Sequence, residues 1–87
     1  MININSQSLV ATITIKTTSG IKHTFCKFRD GTIFWESLDS TNIQFKYGTV
    51  IKMIKAKIGL PFIFVIKASD EKLYLIITEK VETYITQ

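Results

Sequence analysis

The stretch TVIKMIKAKIGLP, Thr49 to Pro61, decides how this chain of 87 residues folds, because it carries signals for both helix and strand. Read as a strand, it places Val50, Lys52, Ile54, Ala56 and Ile58 on one face and Ile51, Met53, Lys55 and Lys57 on the other. Each face then mixes isoleucine with lysine, which suits a half-buried strand poorly. Read as a helix, it gathers Val50, Ile51, Ile54 and Ile58 into one arc roughly 100° wide. Thr49 can cap such a helix, Gly59 suits its C′ position and Pro61 follows where a helix cannot continue. The β-branched residues oppose this reading, and so short a segment depends on tertiary contacts. The balance predicts a short helix over 50–58.

Upstream of it the period is two. In SLVATITIKT (8–17), Leu9, Ala11, Ile13 and Ile15 alternate with Val10, Thr12, Thr14 and Lys16, the mark of a half-buried strand. Ser19-Gly20 ends it, IKHTFCKF follows as a second strand, Arg29-Asp30-Gly31 marks a turn, and TIFWESL reads as a third. The polar DSTN (39–42) leads into IQFKY, a fourth short strand.

Downstream, FIFVIKASDEKLYLIIT reads as a hairpin over 62–77 that turns at ASDEK. Phe62, Phe64 and Ile66 back onto Ile63 and Val65, and Leu73, Leu75 and Ile77 back onto Tyr74 and Ile76. A strand apolar on both faces normally has both faces covered; here the second cover would be the 50–58 helix or another protein chain. VETYIT adds a last strand.

Length and composition describe a single globular domain over 1–87, with 46% hydrophobic and 21% charged residues. The N-terminal MININSQS resembles no secretory signal. The longest apolar run, Ile58 to Ile66, is broken by Gly59 and Pro61 and is far short of the ~20 residues a spanning helix needs. No membrane association is expected. Cys26 is the one cysteine, which suits a reducing compartment, so the cytoplasm is the expected location. The net charge of +4 is uneven: residues 40–69 carry Lys46, Lys52, Lys55, Lys57 and Lys67 without an acid. That asymmetry invites an anionic partner.

Catalysis finds little support. His23 and Cys26 lie three apart on a strand, on opposite faces, so the imidazole cannot serve the thiol. One histidine and one cysteine cannot build a structural zinc site, the acids are scattered apart from Asp70-Glu71, and no phosphate-binding glycine pattern occurs. The chain therefore reads as a non-enzymatic binding module without cofactor or metal.

The leading reading is nucleic-acid binding through the basic segment 46–57, with a protein interface on the 62–77 hairpin as the alternative. Single-stranded nucleic acid would be held by Lys46, Lys52, Lys55 and Lys57, with Phe45, Tyr47 or Trp35 stacking on bases. Alternatively Phe62, Phe64, Ile66, Leu73 and Leu75 form an interface, either in a homo-oligomer or on a protein partner. The second reading suits an accessory protein, such as a viral or mobile-element inhibitor of a host factor.

Three strands, a helix and two strands is similar to the OB-fold order. With 50–56 taken as strand, SGIK (19–22) followed by FKY (45–47) resembles the Sm/Hfq barrels over residues 10–56, which would imply an RNA-binding ring. Phe25 stands where that pattern has a second glycine. The expected fold is mainly β (small α+β): a single antiparallel sheet or small barrel of five to seven short strands, with one short helix near 50–58.

Overall fold

The computed structural model describes residues 9–85. They form β1 (Leu9–Lys16), β2 (Lys22–Phe28), β3 (Ile33–Leu38), β4 (Gln44–Lys57), β5 (Phe62–Ala68), β6 (Leu73–Thr78) and β7 (Lys80–Ile85). All seven belong to one antiparallel sheet in the order β6-β5-β4-β3-β2-β1-β7. The sheet curls into a half-barrel. Glu79 alone separates β6 from β7, yet the two strands lie at opposite edges of the sheet. The curl therefore brings the edges together at one corner, where the Thr78 hydroxyl donates to the Lys16 carbonyl.

Four hairpins share one turn design. Loops Thr18–Gly20, Arg29–Gly31, Ser40–Asn42 and Ser69–Glu71 each hold three residues, the third at positive φ (Gly20 88°, Gly31 92°, Asn42 65°, Glu71 64°). In each, the residue before the loop donates its N–H to the carbonyl just after it: Thr17 to Ile21, Phe28 to Thr32, Asp39 to Ile43, Ala68 to Lys72. Three-residue hairpin loops place a left-handed residue at that third position. Glycine adopts it without strain, asparagine nearly so, and glutamate at a cost.

The expected helix over 50–58 is not present; that stretch is the second half of the long strand β4. Register shifts between Val50 and Lys52 and between Lys55 and Lys57 explain the misleading pattern. A bulge inserts one residue and breaks the period-two alternation, so Val50 and Met53 both meet the core at a helix-like spacing of three. Gly59 (φ 108°) and Pro61, which resembled a helix stop, form the turn into β5. Without that helix the order similar to an OB-fold is lost, and no element among the described residues covers the outer side of the 62–77 hairpin.

The core fills the concave side. Ile15, Phe25, Trp35, Val50, Phe64, Ile66, Ala68 and Ile76 are buried there, with Ile13, Ile33, Met53, Phe62, Tyr74 and Val81 packed against them. Phe25 stacks on Trp35 at 5.5 Å between ring centroids, and Tyr74 meets Trp35 edge-on at 5.1 Å, separations at which aromatic pairs attract.

Candidate functional site

Cross-strand partners in an antiparallel sheet share a face, so the register defines what the outer side of β4, β5 and β6 displays. One row is Ile54–Val65–Leu75; a second is Lys57–Ile63–Ile77; a third is Lys52–Lys67–Leu73. Ile54 is 45% exposed, Leu73 69%, Leu75 62% and Ile77 53%. Ile51 and, in the following turn, Ile58 and Leu60 extend the apolar surface. Lysines lie at both ends of it, and these rows contain no acid. A contiguous exposed apolar patch edged by polar residues is the usual appearance of a docking surface.

The expected interface residues divide. Leu73 and Leu75 lie on this face, whereas Phe64 and Ile66 are fully buried on the concave side and Phe62 packs against the core beside them. Ile54, Ile63, Val65, Lys67 and Ile77 take their place. The apolar-on-both-sides pattern of 62–77 announced Ile63, Val65 and Ile77; Ile54 was hidden by the bulges in β4.

The expected nucleic-acid residues do not share one surface. Phe45 and Tyr47 are exposed on the outer side of β4, at the far end from Ile54, with Phe45 at a register shift opposite Ser37 and Leu38. Trp35 is buried in the core, and its Nε1–H has no hydrogen-bond partner among the described residues. Lys52 and Lys57 lie in the outer rows, while Lys55 pairs with Phe64 and so belongs to the concave side, exposed at the end of the core.

Lys46 turns inward, opposite Ser37, into the mouth of the half-barrel. Its Nζ donates to the Tyr74 hydroxyl at 2.8 Å, lies 3.5 Å from Asp70 Oδ2 and sits 4.3 and 5.3 Å from the Tyr74 and Trp35 ring centroids. Tyr74 in turn donates to Asp70 Oδ2 at 2.8 Å. The hydrogen bond with Tyr74, and then the nearby Asp70 charge, raise the Lys46 pKa above its ordinary value. Asp70 is held below the usual carboxylate range, first by the Lys72 backbone N–H and then by the Tyr74 hydroxyl. Lys46 thus has an intramolecular hydrogen bond and ion pair at the mouth of the half-barrel, with its side chain still partly exposed.

Beneath it lies a contact that the sequence did not announce. His23 Nδ1 and Ser37 Oγ are 2.6 Å apart, on residues paired across β2 and β3. An imidazole and a hydroxyl at this distance are the minimum for an activated nucleophile, but Ser37 is 0% exposed. No substrate reaches that oxygen, and the bond instead satisfies a buried hydroxyl. Burial lowers the His23 pKa from its ordinary value of 6.5, which keeps the ring neutral near pH 7. Cys26 pairs with Thr12 and Phe34, on the opposite face from His23. Among the described residues no three His, Cys, Asp or Glu side chains gather to hold a metal, and no helix is long and apolar enough to cross a membrane. Compared with protein-family models, curated proteins and solved structures, the chain finds no match.

Proposed function

We propose that this chain is a non-enzymatic binding module that docks on another protein through the outer face of β4–β6. The observation carrying this reading is the row Ile54–Val65–Leu75, apolar across three strands and bounded on either side by the Lys52–Lys67 and Lys57 rows. Such a face fits a partner surface with an apolar centre and an acidic rim: burial drives the association, and the lysines orient it. The nucleic-acid reading keeps the exposed Phe45 and Tyr47 and the cross-strand pair Lys52–Lys67. It loses Trp35 to the core and Lys46 to Asp70 and Tyr74, so the protein reading accounts for more of the surface.

The test compares wild type with Ile54→Asp in affinity capture from lysate, followed by titration of each captured protein against both forms. A partner that binds wild type and loses about ten-fold or more of its affinity for the variant, as a buried hot-spot residue requires, supports the face. Captured proteins that bind both forms equally would sink it. Fluorescence anisotropy with labelled single-stranded oligonucleotides is the parallel arm. Salt-sensitive binding there, abolished by Lys52→Glu with Lys67→Glu and indifferent to Ile54→Asp, would transfer the function to nucleic acid.

A further inference from the structure

β6 is a sheet edge of an unusual kind. Natural edge strands are blunted by charge, proline or bulges, because an unpaired row of N–H and C=O groups is a template for another strand. Leu73–Thr78 has none of these devices: it is the one described strand without a charged residue, and its register with β5 is uninterrupted. The opposite edge, β7, carries Lys80 and Glu82.

The hydrogen bond from the Ala68 N–H to the Lys72 carbonyl sets the phase of β6. In an antiparallel ladder alternate residues direct their backbone groups to the same neighbour. Lys72, Tyr74 and Ile76 therefore face β5, and the N–H and C=O of Leu73, Leu75 and Ile77 face away from the sheet. These are also the residues whose side chains lie exposed on the outer face.

We infer that the occupant of this edge is a second copy of the chain, paired antiparallel through β6 about a two-fold axis at Leu75. The strand is palindromic in the required sense. Centring the pair on Leu75 sets Leu73 opposite Ile77 of the second copy on the outer side and Tyr74 opposite Ile76 on the inner side. It also places every outward backbone group against a complementary one. Closed two-fold pairing uses the same patch twice, which demands this self-complementarity. The outer faces remain free in this arrangement and join edge to edge, so the dimer presents the proposed docking face twice.

Sedimentation velocity on the full chain, from about 1 μM to about 1 mM, reads the association directly; an interface this small implies a dissociation constant in or above the micromolar range. The expected mass rises with concentration from one copy toward two and stops there. Leu75→Lys sets like charges opposite each other at the axis and should weaken self-association about ten-fold or more, as should Leu75→Glu. Mixing the two variants should restore two-copy mass. Because Leu75 is exposed, circular dichroism should show both variants folded. Ile54→Asp, two strands inside the edge, should dimerise as wild type does, so loss of the docking partner and loss of the dimer are separate results. A single-copy mass at every concentration would overturn the inference. So would growth beyond two copies, which would indicate β6-to-β7 rings, or unchanged association of Leu75→Lys.

Discussion

The two halves of the outer surface differ although one sheet builds both. Across β7, β1, β2, β3 and the start of β4, one outer row reads Glu82–Thr14–Thr24–Glu36–Tyr47. The row is polar throughout; Glu36 accepts from the Gln44 amide at 2.9 Å, and Thr14 is buried. Across β4, β5 and β6 the corresponding row is Ile54–Val65–Leu75. Antiparallel sheets normally have one core face and one solvated face; the outer row of the first half is polar, although Thr14 on it is buried. In the second half both faces are apolar, and among the described residues only the concave one is covered. The docking proposed above would give that second apolar face its cover.

The sharpest way to break this comparison is to mutate neighbours on one row of strands. Phe64→Ala removes a fully buried ring from the concave side and should cost about 3–5 kcal/mol, enough to unfold much of a marginally stable domain. Ile54→Lys with Leu75→Lys, on the convex side, should stay within about 1 kcal/mol of wild type in urea denaturation, since both residues are already exposed. Equal costs for the two substitutions would mean that the convex face is covered within the chain itself.

The turns offer a smaller contrast. Glu71 occupies the left-handed position that Gly20, Gly31 and Asn42 occupy in the other three hairpins. Glu71→Gly should therefore raise stability by about 0.5–1 kcal/mol, while Asn42→Ala should lower it by a similar amount. A destabilised Glu71→Gly protein would show that the glutamate side chain contributes more than its backbone strain costs.

His23 gives the finest test, within the polar half. Its folded-state pKa lies below the unfolded value of 6.5, because burial penalises the imidazolium. The unfolded chain therefore binds more protons below that pH, and stability falls as pH drops from about 6.5 toward the folded-state pKa. The melting temperature of wild type should decline between pH 7 and pH 5 more steeply than that of His23→Gln. Parallel profiles would assign the decline to other groups.

Much of this fold was legible because its determinants are local. The three-residue turns announced themselves in Ser19-Gly20, Arg29-Asp30-Gly31, Asp39–Asn42 and Ser69–Glu71, and alternation marked β1 to β3. The two-sided apolar pattern of 62–77 called for a second cover, either the 50–58 helix or another chain, and that helix is not present. The binding residues were less legible. Lys46 lies between two exposed aromatics in sequence, yet its partners Tyr74 and Asp70 are 28 and 24 residues away, and no spacing rule connects them.

The sequence by itself determined which segments turn and which residues are apolar, since those depend on φ preferences and side-chain chemistry a few residues long. Only the tertiary structure decided that 50–57 extends β4, because the bulges that realign its side chains arise from pairing with β5. Only the curl of the sheet decided that Phe64 faces the core and Leu75 faces outward beside an unpaired edge. Those assignments depend on which strands meet, and that is a property of the closed sheet, not of any single stretch.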